Sequence, residues 1–331
     1  MSTYIVRRLI QALFILFGLS IVFFVIVHLT PGGPCAAEGA GVKGAAGIHA
    51  CQTRLGLDKP LVVQYFNQMG VYLHGDLGTT IYGDSVVSVV KLKLPATLLL
   101  MGSSYILQQC IALPLGVMAA LKQYSVFDQV FTFFTYVGLA MPTFWLGLIL
   151  IFLFAVHFNW LPAGRVEDVS LPVFWSHDWF VLLRHNPGLV LGDLARHLVM
   201  PMFVLMITGI AGDSRFMRGS MLEVIRQDYI RTARAKGLSP RVVIFKHAFR
   251  NALLPIITNI GLYLPALIGG AVITETIFSW GGLGYVYFTS ITEQDYPLIQ
   301  AISMIGALAV LLANLLTDLA YAWVDPRIRY D

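Results

Sequence analysis

The hydrophobic positions of this chain gather into long runs, not into the alternating or one-sided patterns of a water-soluble fold. Six runs reach the roughly 20 apolar residues that a helix needs to cross a hydrocarbon core about 30 Å thick. They lie at 9–29, about 97–121, 130–158, about 197–216, 252–273 and 298–324. A backbone crossing lipid must satisfy its polar groups within the segment, so runs of this length predict helices and an all-α membrane protein. The second run holds Gln108, Gln109 and Pro114; the third, read as one long span, holds Pro142; the fifth holds Pro255 and Pro265. Asp213 and Arg215 enter the end of the fourth, and both are expected at the membrane interface. Between the first two runs, apolar positions over 61–73 predict a short amphipathic helix on the membrane or bundle surface. Gly75-Asp76-Leu77-Gly78 then reads as a turn. The chain divides into a first segment and span (1–29), a long loop region (30–96) and a core of spans (97–331).

Composition agrees with this pattern. Hydrophobic residues make up 57% of the 331, charged residues only 12%, and mean hydropathy is +0.74. Soluble domains carry about 25% charged residues. The net charge of +4 is no nucleic-acid signal, because no Lys/Arg-rich run is interleaved with aromatics. Arg7 and Arg8 precede 21 residues without a formal charge, longer than a signal-peptide core, and Thr-Pro-Gly-Gly-Pro follows in place of a small-residue cleavage site. The first run is therefore expected to be a retained span. With six spans, both termini and the 122–129 and 217–251 loops share one side. That side holds most of the Lys and Arg, whereas the 275–297 loop has Glu275, Glu293 and Asp295 and no cation. Positive charge stays inside, so both termini are expected in the cytoplasm. Trp160, Trp175 and Trp179 suit an interfacial belt.

The absent motifs narrow function. No lysine is followed by Ser or Thr, so there is no P-loop, and neither His-Glu-x-x-His nor Gly-x-Ser-x-Gly occurs. No His/Cys cluster has metal-ligand spacing. The chain is expected to bind no cofactor and not to be an enzyme. Cys35 and Cys51 lie 16 residues apart in the first loop. A disulfide there suits an oxidising compartment, and two free thiols are the alternative. Cys110, in an apolar run, reads as a buried small side chain. Ionisable and amide groups in spans are candidates for a translocation path. Asn314 and Asp318 form an i, i+4 pair in the sixth run, facing either a wet path or simply the wet end of the helix. Asn259 in the fifth can line a path or bond a neighbouring helix. Gly116/Ala120, Ala266/Gly270 and Ala309/Ala313 are small pairs that permit close helix packing.

The richest stretch is 229–255, a basic island between two apolar runs. Residues 221–236 hold helix formers and no Gly or Pro. Gly237 can take the left-handed conformation that closes a helix, Ser239 is a good N-cap, and Pro240 suits the first helical position. A second basic helical segment follows to Arg250. A helix–Gly–helix projecting from a membrane bundle is a shape another protein can grip; the plainer alternative is a basic loop held inside by its charge.

This stretch resembles the cytoplasmic coupling loop of ABC importer permeases, in the Arg-Thr-Ala-Arg-Ala-Lys-Gly-Leu form of dipeptide and oligopeptide systems. The similarity extends along nearly the whole chain. Tyr4-Ile-Val-Arg-Arg, Leu-Thr-Pro-Gly-Gly-Pro (29–34), Gly-Asp-Leu-Gly-Thr (75–79), Leu-Pro-Ala-Thr-Leu (94–98), Trp-Leu-Pro-Ala-Gly (160–164), Glu-Thr-Ile-Phe (275–278) and Asp-Pro-Arg-Ile-Arg-Tyr (325–330) carry it in order. Gly33 and Gly281 depart from the usual Asp and Pro of that pattern. The resemblance implies a type I ABC importer permease fold of about six transmembrane helices, with a long first extracytoplasmic loop and a coupling loop at about 217–251. It implies a B-type subunit for short peptides in a bacterial or archaeal plasma membrane. Partners would be a homologous second permease, two cytoplasmic ATPases carrying ATP and Mg, and an extracytoplasmic binding protein. The coupling residues would be Arg231, Thr232, Ala233, Arg234, Lys236, Gly237, Leu238, Ser239, Pro240, Arg241 and Phe245. The same architecture also serves nickel chelates, glutathione and oligosaccharides. A self-contained secondary transporter or channel is the reading from a different class. It calls for paired mid-membrane charges and internal repeats.

Overall fold

The computed structural model describes residues 2–30, 35, 47–49, 52–53, 56–253, 256, 263 and 271–324. Helices α1 (Ser2–Leu29), α2 (Leu61–Leu73), α3 (Val86–Leu121), α4 (Val126–Ala140) and α5 (Thr143–Leu150) come first, and α5 continues π-helically through Ile151–His157. α6 (His177–His185) and α7 (Pro187–Ile225) follow, and α12 (Tyr296–Val324) ends the described chain. Among the described residues, α1, α3, α7 and α12 are each long and apolar enough to cross a membrane, and the α4–α5 pair makes a fifth crossing if it counts as one span. Most of the 252–273 run, with Ala266 and Gly270, lies outside the described residues. The amphipathic helix expected over 61–73 forms with those bounds. It lies against the spans through Tyr65 Oη to Ser20 Oγ (2.6 Å), His28 Nε2 to Gln64 Oε1 (3.0 Å) and Gln68 Nε2 to Gln300 Oε1 (2.7 Å).

The run at 130–158 is not one straight span. Its two halves meet at 96°. The cause is Pro142: a proline disfavours helical backbone in the residue before it. Met141 is extended (φ −80, ψ 118), Pro142 caps the next helix (φ −64, ψ 128), and Leu146 N–H takes up the Pro142 carbonyl at 3.0 Å. The fourth run is part of a much longer helix of 39 residues that begins with Pro187 at its first position.

Helices α3 and α7 form the spine. A Cβ on Gly116 would stand 2.5 Å from the Ser214 carbonyl oxygen and 2.7 Å from Met217 Cβ, so α3 touches the α7 backbone there. Higher up, the Gln108 side chain fills the place where a Cβ on Gly209 would go. Both contact positions advance in the same direction, so the two helices run parallel. Lipid offers no hydrophobic drive for helix pairing, and close packing at small residues supplies the attraction instead. α4 joins the pair through Gly138 beside Ala211, and Asp128, buried, accepts both Arg218 Nε and Nη2 at 2.8 Å. α1 packs on α12, where Ala309 and Ala313 are buried.

Two expectations change. Cys110 is exposed on α3, not buried; it lies on a helix face turned away from the bundle of this chain. Trp179 is core, packed with Val190, Phe174 and Trp280, whereas Trp160 and Trp175 are exposed. Gly116→Val is expected to lower stability by about 2 kcal/mol, the scale of an overpacked contact. Gly102→Ala, on the same helix with nothing within 4 Å of a new Cβ, should change it little. Thermal unfolding of the two variants in the same detergent measures the difference.

Candidate functional site

The basic island folds as a helix–Gly–helix knob. α7 ends at Ile225, two residues turn, and α8 spans Asp228–Ala235. The sequence offered no Gly or Pro at this break. Gln227 is extended (φ −72, ψ 148), and the turn lets α8 fold back so that Ile230 and Ala233 bury against Val117, Met217 and Met221. Gly237 closes α8 with φ +75 and its N–H on the Arg234 carbonyl at 3.0 Å. A Cβ there would meet nothing within 4 Å, so the positive φ alone calls for glycine. α9 begins at Pro240–Val242, passes through π-helical Val243–Phe249 and ends at Arg250–Ala252. Ser239 holds the N-cap position without a side-chain capping bond.

Most of the expected coupling residues share one exposed surface. Arg231, Thr232, Arg234, Lys236, Gly237, Leu238, Ser239, Pro240, Arg241 and Phe245 are exposed, and Ala233 is the buried one. Phe245 is 62% exposed, and Tyr229, Leu238 and Val242 of the same segment are exposed too. The base is rigid: Ser220 Oγ bonds the Ala252 carbonyl (2.8 Å) and Asn251 Nδ2 bonds Tyr229 Oη (3.1 Å). The arrangement is a helix–Gly–helix knob with exposed cations and exposed apolar side chains, seated on the α3–α7 spine.

At the opposite end, three of the quoted sequence stretches meet. Helix α10 (Val272–Ile277) carries Glu275, which is fully buried. Its carboxylate accepts Thr97 Oγ1 and the Tyr285 N–H, each at 3.0 Å. Thr97 also accepts the Leu283 N–H (2.7 Å) at the start of α11 (Leu283–Glu293), and Trp280 Nε1 donates to the Ala96 carbonyl (2.8 Å). The Arg165 N–H donates to the Phe278 carbonyl (2.7 Å), and Gly164 lies so close to that carbonyl that a Cβ could not fit. Burial pushes the Glu275 carboxyl above the usual range, against the pull of its donors. A second buried carboxylate, Asp295, accepts the Ile81 and Leu298 N–H groups at 3.2 Å and pins the turn after Gly78 to the start of α12. Nothing in the sequence pattern signalled the long-range partners: Thr97–Glu275, Ala96–Trp280 and Ile81–Asp295 are more than 150 residues apart, and Arg165–Phe278 more than 100.

Within the long helix α7, Asp213 is half-buried against α3. Gln108 Nε2 donates to its Oδ2 at 2.7 Å, and Gln109 Nε2 donates to the same oxygen. Tyr105 stacks on Tyr263 (4.1 Å, 19°) beside them. Arg215 turns away and lies over the Tyr136 ring at 4.4 Å. The sequence reading named Gln108, Gln109 and Asp213 separately without joining them. Of the path candidates, Asn314 is exposed on α12 and Asp318 follows on the same helix with its side chain outside the described residues; Asn259 lies outside them too. Cys35 is buried and disulfide-bonded, Cys110 is free, and Cys51 lies outside the described residues.

A bundle of long apolar helices, a basic knob at one end and a sealed junction at the other define a multi-pass membrane protein of the permease class. Residues 112–330 match the family described as binding-protein-dependent transport system inner membrane component, and residues 1–101 match its N-terminal counterpart. The chain belongs to that family. It is 42% identical over 332 residues to the oligopeptide transport system permease protein AppB of Bacillus subtilis, with all of both chains covered. It is 40% identical to the di/tripeptide transport system permease protein DppB of Pseudomonas aeruginosa and 38% identical to the dipeptide transport system permease protein DppB of Escherichia coli, each covering 100% of this chain and 99% of the relative. Its fold is similar to that of a chain in the inward-facing MetNI methionine ABC transporter (TM-score 0.54, 15% identity), covering 72% of this chain and 97% of that one.

The junction yields a test. Thr97→Val removes a donor to a buried carboxylate and an acceptor for Leu283 N–H, and should destabilise the protein by about 1–3 kcal/mol. Thr97→Ser should recover most of the loss. Glu275 binds its proton more tightly folded than unfolded, so its contribution is present at low pH and is lost as pH rises through the raised value. The Thr97→Val deficit should therefore widen with rising pH in thermal unfolding scans.

Proposed function

We propose that this chain is the transmembrane permease subunit of an ATP-driven importer of short peptides. The observation that carries the proposal is the knob of α8 and α9, whose exposed cations and apolar side chains ride on a base packed into the spine. The names of the full-length relatives support peptides as the cargo. The chain has no P-loop, so hydrolysis belongs to two separate cytoplasmic ATPases that hold ATP and Mg. A homologous second permease completes the membrane pair, and an extracytoplasmic binding protein delivers the peptide. The chain is then not itself an enzyme. The basic end faces the cytoplasm with both termini, and the Glu275 junction faces outward.

Mechanism follows from linkage. ATP closes the ATPase pair, whose grip on Thr232–Phe245 moves the knob, and through Met217 and Met221 the spine, as one body. The bundle passes between inward- and outward-facing states, and each ligand shifts that balance only by its different affinity for the two. Purifying the chain in mild detergent from its host tests the assembly. Two P-loop ATPases and a sister permease should accompany it, and the complex with its binding protein should accumulate peptide in liposomes when ATP is supplied. A lone chain that moves solute without ATP would sink the proposal.

Two variants sharpen the reading. Gly237→Asp forces a side chain into a left-handed backbone that costs roughly 1–2 kcal/mol. Uptake should fall by about tenfold or more while membrane insertion and abundance stay at wild-type levels; wild-type uptake would remove Gly237 from the coupling role. In the first outer loop, the bonded state of Cys35 and the free state of Cys110 favour Cys51 as the bridging partner. Thiol labelling should rise from one site to three on reduction, and labelling that does not change would refute the bridge.

A further inference from the structure

The Asp213 node has more acceptors than its own donors satisfy. Asp213 lies on α7 opposite Gln108, which is 13 residues before the end of α3 at Leu121. At 1.5 Å per residue that is about 20 Å from the helix end, in a helix long and apolar enough to cross a membrane. Carboxylates within spanning helices pair with cations or line a water-filled route. Among the described residues no cation pairs with Asp213, and the nearest along the chain, Arg215, is turned onto Tyr136. Both glutamine amides converge on Oδ2, leaving Oδ1 without a donor among the described residues. Gln109 Oε1 is buried and unpaired. The Tyr105 hydroxyl is buried too and makes no well-formed hydrogen bond, although the Gln109 amide lies beside it.

The Asp213 carboxylate, with the buried and unpartnered oxygens of Gln109 and Tyr105 beside it, matches the chemistry of a primary ammonium, which has three donors and one positive charge. The stacked faces of Tyr105 and Tyr263 add a π surface that attracts the same charge. Buried polar groups are ordinarily paired, so open oxygens in one place are a mark of a ligand or of a state that pairs them. We infer that the Asp213–Gln109–Tyr105 node is a transit site that receives the α-ammonium group of a peptide crossing the bundle. This deepens the proposed function and rests on it. The Gln108 and Gln109 amides act as positioning groups that hold the carboxylate against the spine. Gly209 makes room for Gln108, since any larger residue would displace that side chain.

The test uses the assembled importer without its binding protein, so that recognition of the amine by that protein does not enter. Equilibrium binding of radiolabelled Ala-Ala-Ala is compared with its N-acetylated form. The wild-type complex should hold the free-amine peptide and discriminate against the acetylated one by about tenfold or more, the scale of a charge-assisted hydrogen bond. Asp213→Asn should abolish the discrimination, and Asp213→Glu should keep most of it. Gln109→Met removes one acceptor without touching the charge and should weaken it in part; it decides the matter if Asp213→Asn does not assemble. Equal binding of both peptides, binding of neither, or displacement by NaCl as effective as by a primary amine would overturn the assignment. ATP-driven uptake of the same peptide with the binding protein restored separates the two levels. Uptake without discrimination removes the site and leaves the importer. No uptake by the complete wild-type complex removes the importer reading itself.

Discussion

The close parallel contact of α3 with α7 is the interaction on which the rest of the molecule depends. In lipid, one apolar side chain gains little by exchanging a lipid neighbour for another side chain. Shape has to supply the attraction, and here it comes from Gly116 against the Ser214–Met217 backbone and from Gly209 under Gln108. Everything with chemical character hangs from this pair. Thr97, near the upper part of α3, anchors the Glu275 junction. Gln108 and Gln109, midway along α3, hold Asp213. Val117, Ala120, Met217 and Met221 form the seat of the knob. Three sites on one spine cannot move independently.

That continuity gives the knob mechanical meaning. A loop tethered only by its ends would absorb a pull from outside. Here Ile230, Ala233, Val243 and Ala248 are packed into the same core as the spine, and interiors packed at this density transmit displacement. Compliance sits elsewhere. The Met141–Pro142 break, with its 96° bend, and the π-helical stretches Ile151–His157 and Val243–Phe249 are places where the regular hydrogen-bond ladder is already altered. The stiff pair is thus flanked by elements that can adjust around it.

Much of this was legible in sequence because it depends on local rules. Apolar runs gave most of the spans, the 61–73 pattern gave α2, and Gly237 and Pro240 gave the knob's turn and restart through their own backbone preferences. What escaped depends on partners. Pro142 fits a kink or a break equally well until the neighbouring helices choose. The Arg226–Gln227 turn contains neither Gly nor Pro, and it forms because folding back buries Ile230 and Ala233. Trp179 reads as an interfacial residue until Phe174 and Trp280 enclose it. The Thr97–Glu275 and Gln108–Asp213 pairs join residues separated by more than 100 positions, and a single sequence has no signal for them.

Three other described carboxylates, Asp128, Glu275 and Asp295, show why Asp213 stands apart. Asp128 meets a guanidinium in a two-point pair, so its charge is cancelled where it sits. Glu275 and Asp295 lie beyond the spans and are held by backbone N–H groups and a hydroxyl, with burial pushing both toward the neutral form. Each of these three is accounted for by tasks of the fold itself: closing a helix start, sealing a junction, pinning a loop. Asp213 has neither a cation nor a backbone donor among the described residues; its two amide partners crowd one oxygen, and the other has no donor among those residues. A structural carboxylate in lipid would have been selected to match its surroundings, or replaced by the apolar residue that packs better. One that is positioned and yet unfinished fits a group whose partner arrives only during turnover.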